Sequence, residues 1–175
     1  MTTRPLPSAG LPPDLISDAL DVVFVTIAAG EGSGGDGHHY SDPHERFWDL
    51  VNESGLVSDL VGAENDHLIL DEKCGLALLR EKEPGAGADK DGGRFNRQGL
   101  TGLVERYKPK VVAFNGPGVY REVFGRVPAD FGLTEDIIGD SYVFALPSSD
   151  ERDTSLPYQK KLHWYRKLKA TMKSL

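Results

Sequence analysis

The chain has little cysteine and no long hydrophobic run, and each shortage excludes a class of protein. Its one cysteine, Cys74, rules out an intramolecular disulfide framework and a cysteine zinc cage. No apolar stretch approaches the roughly 20 residues that span a bilayer, which excludes a transmembrane protein. The N-terminus has no long apolar segment of the secretory type. We therefore expect a soluble, intracellular protein.

Length and charge indicate how the chain is organised. The 175 residues suit one domain, and 39% of them are apolar, which is enough for a core. We expect residues 1–13, which are rich in proline, to be a flexible tail and residues 14–175 to form the single domain. The net charge is −7, yet residues 159–175 carry six basic and no acidic residues, leaving −13 on the rest. A solvated helix face explains this basic end better than a polyanion site, because cations are favoured near a helix C-terminus.

Short apolar runs alternate with stretches of helical spacing. Strands are predicted at 21–27, 111–114 and 142–146, because each run is apolar, rich in β-branched or aromatic residues, and closed by a glycine or proline. Helices are predicted at 44–54, 100–107, 119–124 and 158–172. Alternation of this kind predicts a parallel sheet with helices on both faces.

Three loops follow the predicted strands, and ligands bind at the carboxyl ends of strands in such sheets. The loops read AAGEGSGGDGHHY, NGPG and PSSDER. The first is neither a P-loop nor a GxGxxG loop. Its Asp36, His38, His39 and Asp42 are potential metal ligands. Adjacent side chains on an extended segment point apart, however, so we predict no metal site.

A series of short motifs follows along the chain: GHHY (37–40), RFW (46–48), ESGL (53–56), YKP (107–109), VAFNG (112–116), LPSS (146–149), KLHWY (161–165) and KLK (167–169). Each motif is weak alone, and the set is specific together. Taken in order, the set resembles the mismatch-specific uracil-DNA glycosylase and thymine-DNA glycosylase family. The resemblance covers the chain from about Asp21 to its end, and the order and spacing agree throughout.

The resemblance implies a fold and a reaction. The expected fold is a three-layer α/β/α sandwich around a short, mainly parallel sheet. The expected partner is duplex DNA with a mismatched or damaged pyrimidine, uracil above all, which is turned out of the stack. Water then attacks C1′ of the sugar as the base leaves, which requires no metal and no cofactor. We expect a monomer, cytoplasmic and nucleoid-associated in a bacterium or nuclear in a eukaryote.

The resemblance also assigns roles to individual residues. It implies that the flipped base stacks on Tyr40 and lies beside His39. The backbone at Ile27 and Ala28 would line the pocket floor. The DNA contacts implied are phosphate contacts by Ser148 and Ser149, a phosphate-facing loop at Asn115 and Gly116, and Arg152 plugging the gap that the flipped base leaves.

Several positions depart from the family pattern. The asparagine that aims the attacking water falls on Ala28, and a second pocket asparagine or lysine falls on Ala77. The family's NGK lysine falls on Pro117, and the asparagine before its aromatic pair falls on Glu45. We therefore expect looser base selectivity and another group that positions the water. Asp91 is the preferred carboxylate for that role, and Asp36 is the second.

Two other functions stay open on the sequence alone. A relative that has lost the chemistry would bind DNA or a nucleobase without cleavage. A hydrolase of small nucleotides would use the histidine-rich loop to hold a metal. The acidic body of the chain weakens affinity for DNA and gives this function some weight, although it ranks third.

Overall fold

The computed structural model describes residues 11–28, 37–82 and 93–175, except for the side chain of Ala28. Within these ranges the chain forms a central sheet, four α-helices and one 3-10 helix. The strands are β1 (Val22–Ala28), β2 (Cys74–Arg80), β3 (Val111–Asn115), β4 (Gly132–Ile138) and β5 (Ser141–Leu146). The helices are α1 (Phe47–Glu53), the 3-10 helix (Ala63–Glu72), α2 (Arg97–Tyr107), α3 (Pro117–Phe124) and α4 (Tyr158–Ser174).

The sheet has the order β2-β1-β3-β5-β4. The first four strands in that order are parallel, and β4 lies antiparallel to β5 at one edge. Because β1, β3 and β5 are neighbours, their carboxyl ends meet at one edge of the sheet. The loops that the sequence singled out therefore leave the sheet side by side.

Helices cover both faces of the sheet. On β1, Val22 and Phe24 pack towards α1 and α4, whereas Val23 and Val25 pack towards α2 and α3. Successive side chains of a strand point to opposite faces, and both faces are buried here, so the strand reads as an unbroken apolar run. The prediction of a three-layer α/β/α sandwich is confirmed.

Two strands and the 3-10 helix were not predicted. Strand β2 is buried on both faces, and only residues 71–73 separate it from the apolar residues of the 3-10 helix. Residues 68–80 therefore show two short apolar runs without a clear period. Strand β4 is a polar edge strand with an irregular register between Leu133 and Ile137. None of the described helices is long and apolar enough to cross a bilayer.

The predicted helix 44–54 begins at Phe47, because the residues before it pair with a distant segment. Glu45 forms an isolated antiparallel bridge with Asp150, and the Arg46 amide donates to the Ser149 carbonyl over 3.0 Å. The proline-rich start is described only from residue 11, where the Pro13 carbonyl lies 2.7 Å from a His39 ring nitrogen.

Candidate nucleic-acid interface and active site

The candidate site lies where the segments after β1, β3 and β5 meet. Two further backbone bonds fix this meeting point. Glu151 donates to the His44 carbonyl over 2.9 Å, and Gly116 donates to the Leu146 carbonyl over 3.0 Å. Gly116 has φ +110°, a conformation that side chains rarely adopt, and it lets the chain turn from β3 straight into α3.

Asn115 and Ser149 lock the ends of β3 and β5 together. The Asn115 Nδ2 donates to Ser149 Oγ over 2.7 Å, and the Ser149 backbone N–H donates to Asn115 Oδ1 over 2.9 Å. Both side chains are buried. The Ser149 hydroxyl is therefore committed inside the protein, and a phosphate contact through it would require these bonds to break.

Glu45 completes this hydrogen-bonded chain. Since the Ser149 oxygen already accepts from Asn115, the Ser149 hydroxyl donates its proton to Glu45 Oε1. Glu45 is half-buried, and the removal of its carboxyl from water raises its pKa from 4.5 to about 7. The hydrogen bond from Ser149 opposes this increase in the pKa, and the nearby carboxylates of Asp150 and Asp42 add to it.

Tyr40 belongs to the core and to the site at once. Its ring is 4% exposed and stacks on Phe47 with centroids 4.0 Å apart and an interplanar angle of 15°. Its backbone is left-handed, with φ +54°, an uncommon conformation for a residue other than glycine. The buried hydroxyl lies beside Asn115 and Thr26 but forms no hydrogen bond with any described residue. Burial raises its pKa far above the usual range.

A second tyrosine, Tyr165 of α4, belongs to the same group of polar residues. Its hydroxyl is likewise buried without a hydrogen-bond partner in the described ranges, and it lies close to Ser149, Tyr40 and Glu45. The corner thus holds one carboxyl, one amide and three hydroxyls. We call these residues, Tyr40, Glu45, Asn115, Ser149 and Tyr165, the buried polar cluster.

His39 is buried beside this cluster and is held neutral. Its Nε2 donates to the Pro13 carbonyl over 2.7 Å, so the proton is on Nε2 and Nδ1 is an acceptor. Burial lowers its pKa below 6.5. The His39 N–H donates to Asp66 over 2.7 Å, and His38 Nδ1 lies 3.3 Å from the other Asp66 oxygen. Among the described residues, no group of three potential ligands is arranged to hold a metal ion.

The residues predicted to face DNA differ in their exposure. Arg152 is exposed, and its guanidinium forms a two-pronged pair with Asp150, at 3.0 Å for Nε to Oδ1 and 2.7 Å for Nη2 to Oδ2. This pair lowers the pKa of Asp150. Ser148 is half-buried, and its Oγ accepts from the Asp150 amide over 3.2 Å. Arg152 and Ser148 are thus reachable from outside, whereas Ser149 is not.

The structure does not bring all predicted residues together. Ala77 is 1% exposed and lies with Ile27 on the α2 and α3 face of the sheet, away from Tyr40. Its register partner is Val25, which fixes that orientation. Its methyl group is enclosed by core side chains, so nothing in this position faces the buried polar cluster. The two catalytic candidates, Asp91 and Asp36, and the side chain of Ala28 lie outside the described residues.

The sequence interpretation missed Glu45 and Tyr165 as site residues. Glu45 was marked only as a departure from the family pattern, and Tyr165 only as the last residue of the KLHWY motif in the predicted helix 158–172. The signal for Glu45 was a carboxylate two residues before the aromatic pair Phe47-Trp48, which begins a helix; Phe47 is fully buried and Trp48 nearly so. A carboxyl in such a position is removed from water, which shifts its pKa, and shifted pKa values are frequent at functional sites.

Known proteins resemble this chain in sequence and in fold. The sequence pattern of the uracil DNA glycosylase superfamily matches residues 13–169. A candidate uracil DNA glycosylase from Methanosarcina acetivorans, whose structure was solved by NMR in solution, has a similar fold with a TM-score of 0.56. The two chains are 18% identical, and the match covers 93% of this chain and 98% of the other.

Proposed function

The chain belongs to the uracil DNA glycosylase superfamily, and on that premise we propose that it excises uracil from duplex DNA. The base, mismatched or damaged, is turned out of the helix, and the N-glycosidic bond is hydrolysed to leave an abasic site. Water is the nucleophile, so the enzyme is monofunctional. An alanine at position 28, where the family has its asparagine, favours a wider range of pyrimidines, thymine among them.

One observation carries the proposal. The buried polar cluster lies at the carboxyl ends of neighbouring strands, the usual ligand position in such sheets. Four of its five residues, all except Glu45, belong to segments that resemble the family, GHHY, VAFNG, LPSS and KLHWY, and GHHY lies far in sequence from the other three. Glycoside cleavage needs a polar group beside the sugar and donors that stabilise the departing base. The cluster supplies a carboxyl, an amide and hydroxyls within one corner.

The exposed residues next to the cluster suit a duplex. Arg152 projects from the segment that follows β5, and filling the gap left by a flipped base requires it to leave Asp150. Ser148 and the backbone at Gly116 lie against each other, with the position of a Gly116 Cβ 3.5 Å from the Ser148 Cβ. A phosphate at this edge would contact the half-buried Ser148 first, because Gly116 is buried. A base that stacks on Tyr40 uses the ring face opposite Phe47 and requires the site to open.

The test is a glycosylase assay on a defined duplex. Purified protein is incubated with an end-labelled duplex carrying one U·G pair, in EDTA, and abasic sites are then cleaved with alkali. We expect strand cleavage at the uracil, and parallel duplexes with U·A, T·G and an intact C·G pair measure the selectivity.

Each other outcome points to a different function. Retarded but uncut DNA means a binding protein that has lost the chemistry. Hydrolysis of free nucleotides that requires an added divalent metal means a nucleotide hydrolase. Either result overturns the glycosylase proposal.

A further inference from the structure

We propose that Glu45 is the catalytic carboxylate of this enzyme, the group that accepts the proton of the water attacking C1′. The inference rests on the proposed glycosylase function and names a residue for it. It departs from the sequence analysis, which placed this role on Asp91 or Asp36.

The geometry fixes the Glu45 carboxyl in place. The bridge to Asp150 and the Arg46 amide bond tie its backbone to the segment after β5. Its Oε1 is held by the Ser149 hydroxyl, which is itself held by Asn115. The Phe47 backbone N–H also donates to the Glu45 carboxyl, and Glu45 is only half-buried. Two hydrogen bonds therefore anchor the group, and its exposed part remains open to bind water.

The location also fits the chemistry. Glu45 lies at the mouth of the buried polar cluster, and Tyr40, which the resemblance pairs with the flipped base, lies in the same cluster. The resemblance places the family's water-positioning asparagine at Ala28, which is the last residue of β1 and cannot position water. A carboxylate orients water and stabilises the positive charge that develops on the sugar, so it does the work of the lost amide.

The step balances without a cofactor. The water oxygen forms a bond to C1′ as the bond from C1′ to the base nitrogen breaks, and the electron pair of that bond leaves with the base. The water proton passes to Glu45, and the base anion takes up a proton from solvent or from a site donor. The products are the free base and an abasic sugar.

The charged and titratable groups around Glu45 determine the pH range in which its carboxylate can accept a proton. Asp42 and Tyr40 face it from its own segment, Asp150 and Arg152 from the segment after β5, and Tyr165 from α4. Burial and the two carboxylates outweigh the hydrogen bonds from Ser149 and the Phe47 backbone, and they raise the Glu45 pKa to about 7. A general base with such a pKa is ionised and still basic near neutral pH, the best compromise for proton transfer.

The experiment measures single-turnover excision of uracil from a U·G duplex between pH 5 and 9, with enzyme in excess. The variants are Glu45→Gln, Glu45→Asp and a matched control, Glu151→Gln. Glu151 is an exposed carboxylate paired with His44 at 2.9 Å, and it shares the segment that bridges to Glu45. Thermal unfolding of each variant checks that the fold is retained.

We expect the wild-type rate to rise with pH and to reach half its maximum near pH 7. Glu45→Gln lowers the rate by about a hundredfold or more and removes the pH dependence, since general-base catalysis contributes a factor on the order of 10²–10⁴. Glu45→Asp has an intermediate rate, and Glu151→Gln stays within about twofold of the wild type.

The failures are distinguishable. If the wild type excises uracil and Glu45→Gln keeps its rate, Glu45 is not the base and the glycosylase function stands. A slow Glu45→Gln beside a flat wild-type pH profile overturns the proton-accepting role and leaves Glu45 a positioning residue. If the wild type releases no uracil at any pH, the function and the role of Glu45 fail together.

Discussion

At the scale of single residues, Tyr40 shows how the site is built from the core. Its ring is buried and stacks on Phe47, yet its hydroxyl has no hydrogen-bond partner among the described residues. Such a hydroxyl costs free energy, because it gives up water and gains nothing in return. The left-handed backbone at this residue is a second local cost. Both costs at one position are typical of a functional site.

We predict that Tyr40→Phe leaves the protein equally stable or more stable, by up to about 1 kcal/mol, because it removes a buried unpaired hydroxyl and keeps the stacking ring. Tyr40→Ala is expected to cost about 3–5 kcal/mol, since it leaves a cavity against Phe47. Urea unfolding measures both. Tyr142→Phe, at an exposed position, is the control and should stay within about 0.5 kcal/mol. A large loss in Tyr40→Phe would show that the hydroxyl is bonded after all.

Glu45 gives a prediction on the pH dependence of stability. Its pKa is about 7 when folded and near its ordinary 4.5 when unfolded, so the folded state holds the proton more tightly. Stability from this residue is therefore fully present below pH 4.5 and falls as the pH rises towards 7. Glu45→Gln cannot ionise, so it should flatten this decline and be more stable than the wild type at pH 8, by about 1–2 kcal/mol.

Urea unfolding at pH 5 and pH 8 measures this difference. Glu151→Gln, at an exposed carboxylate, serves as the control and should follow the wild type at both values. Parallel declines in the wild type and Glu45→Gln would mean that the Glu45 carboxyl is as well solvated in the folded protein as in the unfolded chain.

At the scale of elements, the start of α3 depends on a glycine that the sequence shows only as part of NGPG. Gly116 has φ +110°, and its backbone packs against Ser148. Gly118, two residues further on, lies inside α3, and a Cβ added there meets no atom within 4 Å. The two glycines are thus a matched pair, with one required by the backbone and one dispensable.

We predict that Gly116→Ala destabilises the protein by about 1–3 kcal/mol, because alanine is strained in this conformation. Gly118→Ala should instead stabilise it by about 0.5–1 kcal/mol, because glycine is a poor helix former. Denaturant unfolding of the two variants measures both changes in the free energy of unfolding. Equal effects would show that the turn after β3 does not depend on the glycine conformation.

The sequence predicted the elements that are apolar and well separated, and missed those that are not. Strands β1, β3 and β5 were found because each is a short buried run that ends in a loop. Strand β2 is equally apolar, but the 3-10 helix shortly before it has apolar residues of its own, so the two together show no clear period. The face on which Ala77 lies depends on its register with Val25, and a shift of one residue would reverse it. Local patterns carry no such information.

The same reason limits prediction of the site. The motifs gave the correct edge of the sheet, since parallel strands bring their carboxyl ends together. The hydrogen bond from Ser149 to Glu45 joins residues 104 positions apart, so neither local segment predicts it. Burial of the carboxyl, which gives it its chemistry, is a property of the folded chain alone.

At the scale of the whole molecule, the net charge of −7 opposes the approach of DNA. Of the residues predicted to face the duplex, only Arg152 is positively charged, and it is paired with Asp150. Helix α4 holds four exposed basic residues, Lys160, Arg166, Lys167 and Lys173, which form a separate basic face. Affinity for DNA that relies on Arg152 and neutral donors releases few counterions, whereas contact through α4 would release several.

We therefore predict a shallow salt dependence of binding. Between 50 and 200 mM salt, the logarithm of the association constant for an undamaged duplex should fall with a slope of about −1 to −3, because each neutralised phosphate contributes about −0.9. Arg152→Gln should reduce the steepness of this slope by about one unit. Replacing Arg166 and Lys167 by glutamine should leave the slope unchanged, because α4 presents them as a solvated face. A slope of −5 or steeper, made shallower by the α4 replacements, would mean that the basic helix lies on the DNA.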